Sequence, residues 1–171
     1  VVLATVTAIG GGTLRDLLLG IPVFWLNQPS YIYVVVFTCL IAILWINKTN
    51  RLPDKSLEFA DAVGLSLFVV MGTEKALGYG VAPITAVIMG MMTGCFGGVL
   101  RDVMANQIPL IFQKHLYAVC CLAGGSVYVT LDGYVEPSTA AVAAFFTVLL
   151  LRIAAIKKGW SIHVFNYDKS N

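Results

Sequence analysis

Two short runs carry most of the chemistry open to this chain: Gly11-Gly12-Thr13-Leu14-Arg15-Asp16 and Gly97-Gly98-Val99-Leu100-Arg101-Asp102. Each sets an arginine and an aspartate inside an apolar stretch, where a charge in lipid costs at least about 2.5 kcal/mol unless it faces protein or water and finds a partner. Residues of this kind pair, gate or line a wetted path. Covalent catalysis is not on offer. No nucleophile with a neighbouring base, HExxH helix or phosphate-cradling loop accompanies them, so the chain is not read as an enzyme.

The composition names the medium. Of 171 residues, 58% are hydrophobic, 16 more are glycine and only 12% are charged, against roughly 25% charged in a water-soluble domain. This is an integral membrane protein of helices, because the apolar runs are continuous and do not alternate as barrel strands do. A net charge of +2, with its bases in loops, excludes a nucleic-acid partner. Cys39, Cys95, Cys120 and Cys121 lie in apolar stretches without metal-ligand spacing and read as small buried hydrophobes, while His115 and His163 are isolated. No metal site is expected.

Six apolar segments are long enough to cross a bilayer: residues 1–24, 31–46, 57–77, 81–104, 116–131 and 138–156. Tyr31, Tyr33, Trp45 and Tyr117 suit the headgroup level at segment ends, and Trp160 would anchor the final helix. Lys48, Arg51, Lys55, Lys114, Arg152, Lys157, Lys158 and Lys169 fall on one side, whereas the opposite connections hold no Lys or Arg. The C-terminus, the tail 161–171 and the loop 47–56 are therefore expected in the cytoplasm. Asp132 and Glu136, on an outer connection, read as solvated acids. The first residue is Val and no basic region precedes the apolar run, so residues upstream are expected.

Compared with itself, the chain repeats: residues 7–16 match residues 93–102 at a constant offset of 86. The match extends to Ile21-Pro22 with Ile108-Pro109 after one inserted residue, and to residues 30–33 with 114–117. Three spans separate the copies, so they point in opposite directions. Residues 1–46 form a first repeat lacking its first helix, 57–131 a second, and 138–160 a final helix. Inverted repeats place a site near the midplane, commonly at broken helices. The glycines Gly10, Gly11, Gly12, Gly97 and Gly98 allow two readings. One is close packing, which Gly90, Gly94 and Gly98 also suggest; the other, favoured by the duplication, is a kink or unwinding at a wetted path.

Arg15 and Arg101 sit about 6 Å beyond their glycines along a helix axis. Neighbours i and i+1 do not face one another on a helix, so Asp16 and Asp102 are poor partners. The charged segment 57–77 should supply better ones. Its direction pairs Arg101 with Asp61 or Glu58 and Arg15 with Glu74, leaving Lys75 unpaired, either snorkelling or facing the path.

The two glycine-arginine-aspartate motifs, the Ile-Pro elements that follow and the basic end at residues 152–160 resemble the prokaryotic TRIC family, the trimeric intracellular cation channels, over nearly the whole chain. The resemblance implies an all-α membrane bundle of two inverted three-helix repeats plus a final helix, assembled as a homotrimer in the prokaryotic inner or plasma membrane. It implies one hourglass pore per protomer, kinked at Gly10 to Gly12 and at Gly97-Gly98, with Arg15, Asp16, Arg101, Asp102, Lys75, Glu74 and Asp61 as lining or gating charges. No cofactor is implied. The ligands would be permeant K+ or Na+, with bound lipid a further candidate. The sequence departs from the family at its start, where the family's first helix is not among these residues. Similarity to bacterial proteins described as glycine transporters keeps a secondary transporter of glycine or another small solute as the alternative, and a pure scaffold is the third reading.

Overall fold

The computed structural model describes residues 1–49, 56–113 and 116–158. Among them the chain is an all-α bundle with a single isolated bridge, Asp132 to Val135. The helices are α1 (Val2–Leu18), α2 (Phe24–Asn27), α3 (Ser30–Thr49), α4 (Ser56–Gly78), α5 (Pro83–Met104), α6 (Leu110–Gln113), α7 (Tyr117–Leu131) and α8 (Pro137–Lys158). Lys114, His115 and most of the loop 47–56 lie outside the described residues, as do Trp160, His163 and the tail 161–171.

Six of these helices answer the six apolar segments, and α2 and α6 are additions. The first segment stops early, at Leu18, because Gly20 takes a left-handed φ of +68° and Pro22 follows. Asn106 does the same after α5, at φ +54°. Their spacing is again 86, which corrects the expected insertion: the register holds through this turn, and the matching Ile-Pro pairs are offset from it by one residue.

Packing shows why the outer faces are so apolar. On α8 the stripe Ala140, Ala144, Val148, Arg152 and Ala155 is buried, while Val142, Phe146 and Leu150 on another face are exposed. Small residues let α7 approach it closely, since a Cβ on Gly124 would meet Val148 and the Ala144 carbonyl. Helix α3 touches only α1 and α2 among the described helices and exposes Val34, Phe37, Leu40, Ile41 and Leu44. Water would tolerate that face poorly; hydrocarbon would not oppose it.

The α1 and α5 helices cross at their glycines. A Cβ on Gly11 would fall on the carbonyl of Thr93, and one on Gly97 would fall on the carbonyl of Thr7. Thr7 pairs with Gly97 and Gly11 with Thr93, so the chains run antiparallel, and the offset of 86 exchanges one contact for the other. This is the inverted repeat expressed as geometry. The expected unwinding is absent: both helices remain α-helical through their glycines. At Gly11 and Gly97 the lack of a side chain serves close backbone contact, as it does where Gly90 and Gly94 of α5 meet Val69 of α4.

Candidate functional site

Each motif aspartate ties together a helix end, a turn and a cation. Asp16 accepts the Phe24 backbone N–H at 2.9 Å, and Asp102 accepts that of Leu110 at 3.0 Å, so each carboxylate starts the short helix beyond its turn. The same turns close through Ile21 N–H to Asp16 O and Gln107 N–H to Asp102 O. Two structural repeats thus follow one sequence register.

The neighbouring arginines complete the pattern and correct the expected partners. Arg15 Nε donates to Asp16 Oδ1 at 2.8 Å, and Arg101 Nε donates to Asp102 Oδ1 at the same distance. Helix positions i and i+1 diverge at Cβ, but an arginine is long enough to curl back to a carboxylate fixed by the next turn. Buried charge makes that curl worthwhile: Asp16 is fully buried and Arg15 nearly so. Arg15 also stands over the Phe24 ring, its Cζ 6.0 Å from the centroid.

Helix α4 joins the two clusters. Near its start, Asp61 Oδ1 accepts Arg101 Nη1 at 3.0 Å, one of the two pairings expected from the direction of the segment. Near its end, Lys75 Nζ meets Asp16 Oδ1 at 2.9 Å, so Lys75 is paired, contrary to expectation. Glu74 is not the partner of Arg15. It lines the same cleft, near Tyr128. Fourteen residues separate Asp61 from Lys75, about 21 Å along a helix.

Between these ends lie two clefts. One, of about 510 Å³, is walled by α1, α4 and α5 and includes Thr7, Gly11, Asp61, Gly64, Gly97, Gly98 and Arg101. The other, of about 590 Å³, lies against α1, α3 and α4 and includes Gly12, Arg15, Phe24, Tyr31, Glu74 and Lys75. Both are bounded by Ala8 and Phe68. Of the expected glycines, Gly11, Gly12, Gly97 and Gly98 border a cleft, whereas Gly10 packs against Leu100. Asp16 and Asp102 stand behind the arginines and line neither cleft.

Sequence reasoning missed three residues here. Phe68 carries no polar signal. Tyr117, expected at the headgroups, is buried and donates its hydroxyl to Asp61 Oδ2 at 2.9 Å; its offset of 86 from Tyr31 was the available clue. Arg152, counted among the basic residues at the C-terminal end, is fully buried with its Cζ 4.4 Å from the Tyr117 ring centroid. The cysteine reading fares better: Cys95, Cys120 and Cys121 are buried, with the Cys95 and Cys121 sulfurs 3.8 Å apart, and Cys39 is half-buried. Among the described residues no cluster of metal-ligating side chains occurs.

Known proteins resemble this chain in sequence and fold. The profile of the family described as "Glycine transporter" matches residues 1–47 and 58–133. A "UPF0126 membrane protein" of Vibrio cholerae serotype O1 is 43% identical, over 98% of this chain and 71% of its own length. The "UPF0126 inner membrane protein YadS" of Escherichia coli strain K12 is 40% identical, over 99% and 83%. The solved TRIC trimeric intracellular cation channel orthologue from Rhodobacter sphaeroides superposes with a TM-score of 0.83 at 36% identity, over 91% of this chain and 80% of that one. A second solved TRIC cation channel gives 0.85 at 31% identity, over 97% and 82%. Relatives named as inner membrane proteins, together with apolar helices such as Pro83–Met104 and Pro137–Lys158, make this an integral membrane protein. The chain belongs to the glycine transporter family of UPF0126 membrane proteins, and its fold is that of the TRIC channels.

Proposed function

We propose that this chain is a cation channel whose permeation path runs through the protomer, from the Asp61 cleft past Phe68 and Ala8 to the Lys75 cleft. The observation that carries the proposal is that two clefts, one along the first half of α4 and one along the second, share Ala8 and Phe68 in their walls. Likeness to TRIC cation channels at TM-scores of 0.83 and 0.85 supports it over nearly the whole chain. Asp61, held by Arg101 in one cleft, and Glu74 in the other would give a hydrated cation stepping stones without binding it tightly. Arg15, Arg101 and Lys75 border the path and would set its field, while Asp16 and Asp102 hold them from behind.

The proposed ions are K+ and Na+, the proposed assembly is a homotrimer in a prokaryotic inner membrane, and the C-terminus faces the cytoplasm by the distribution of Lys and Arg. Purified protein in a planar bilayer under a KCl gradient tests this reading. Unitary currents reversing near the K+ equilibrium potential are expected. Saturable glycine uptake into proteoliposomes without such currents would overturn the channel and establish a carrier.

A further inference from the structure

We propose that Arg152 of α8, a helix outside both repeats, is a positioning residue for the Asp61 mouth and acts on it through Tyr117; the proposal rests on the channel reading. Arg152 is fully buried, its Nε and Nη2 have no hydrogen-bond partner among the described residues, and it is absent from the ion pairs found there. A guanidinium taken out of water without a counter-charge is costly, so its neighbours must offset it.

The neighbour the structure supplies is an aromatic face. Arg152 Cζ stands 4.4 Å from the Tyr117 ring centroid, and the hydroxyl on that ring donates to Asp61 Oδ2 at 2.9 Å. A cation on the ring face draws electron density toward itself and strengthens the O–H as a donor. Asp61 is then held between Tyr117 and Arg101, with its side chain only 5% exposed. Charge points the same way. Asp61, Asp102 and Arg101 sum to one negative charge, whereas Arg15, Lys75, Asp16 and the nearby Glu74 sum to none. Arg152 adds one positive charge to the Asp61 end from behind the wall. Its role is to limit the negative field that a cation meets at this mouth.

The test is bilayer recording in symmetric KCl from the full chain, with orientation assigned by a tag on the C-terminus. In Arg152→Gln, K+ flow entering from the Asp61 side should rise relative to the reverse direction at about 20 mM salt, by no more than the roughly twofold that direct loss of a unit charge about 10 Å away would give; at about 1 M the difference should vanish by screening. Arg152→Lys should keep the wild-type ratio. Tyr117→Phe should shift it in the same direction as Arg152→Gln, and the double variant should go no further. A merely structural arginine would lower both directions alike, at every salt concentration, and that result would overturn the proposal. So would unchanged currents in Tyr117→Phe, which loses one oxygen and decides the matter if Arg152→Gln does not fold. A silent wild type would sink the channel reading and this one with it, whereas a conducting wild type with unaltered variants would sink this one alone.

Discussion

Asp16 and Lys75, 59 residues apart in the chain, meet at 2.9 Å and fasten the end of α4 to the first motif helix. The same Asp16 oxygen takes Arg15, so one buried carboxylate answers two cations while its other oxygen holds the Phe24 N–H. Asp16→Asn keeps a hydrogen-bond acceptor but removes the charge, leaving both cations without an acid. Removal of one member of a buried pair costs about 3–5 kcal/mol. Thermal unfolding in detergent should show a large loss for Asp16→Asn and a smaller one for Asp102→Asn, because Arg101 retains Asp61. Equal losses would mean that the two motifs do not differ in this way.

The Lys75 ion pair makes a separate statement about coupling. Lys75 is 30% exposed, so water weakens the attraction, and directly contacting groups couple by about 0.5–3 kcal/mol. A double-mutant cycle of Lys75→Met with Asp16→Asn should give a coupling near the lower end of that range. The cycle of Glu74→Gln with Arg15→Met should give close to none, since no ion pair joins these two among the described residues. A large Arg15–Glu74 coupling would restore the pairing that the direction of α4 suggests.

At the α1–α5 crossing, a methyl group on Gly11 or Gly97 would run into a backbone carbonyl, which cannot swing aside as a side chain can. Overpacking of that kind costs about 1–3 kcal/mol. Gly11→Ala and Gly97→Ala should each lower the unfolding midpoint. Gly98→Ala should be mild by comparison, because its Cβ would stand 3.5 Å from Asp61 Oδ1 and from the Tyr117 hydroxyl. Tolerance of all three alike would show that the crossing relaxes freely.

Some of this was legible from residues alone. The offset of 86 is a property of the letters, and with the spans counted it gives the opposed directions of the two motif helices, of which the reciprocal Gly11–Thr93 and Gly97–Thr7 contacts are the geometric expression. Arg101 with Asp61 followed from the direction of a charged helix. Arg15 with Asp16 did not, because helix geometry describes Cβ directions and says little about a long side chain curling toward a carboxylate fixed from beyond the helix end. Lys75 was hidden for the same reason: its partner is fixed by the turn at Gly20. Arg152 was misread because charge counting sends a base near a segment end to water, and only the packed face of Tyr117 makes burial tolerable. Phe68 gave no signal at all, since an apolar residue in an apolar helix looks alike whether it faces lipid, core or a cleft.

Phe68 is the residue on which the proposed permeation path depends most directly, because it borders both clefts and, among the described residues, only Ala8 shares that position. An apolar constriction resists ions by excluding the water they carry. Phe68→Ala should therefore raise unitary conductance severalfold, whereas Phe68→Trp should lower it, with little change in cation over anion preference because the charges at Asp61 and Lys75 remain. Gly64 supplies the control within the same wall. Nothing lies within 4 Å of a Cβ added there, so Gly64→Leu should fold normally and put its side chain into the Asp61 cleft, lowering conductance from that side. If both Phe68 variants conduct like the wild type while Gly64→Leu blocks, ions use the Asp61 cleft but leave it by a route other than the Phe68 junction, and the path drawn between the two clefts is wrong.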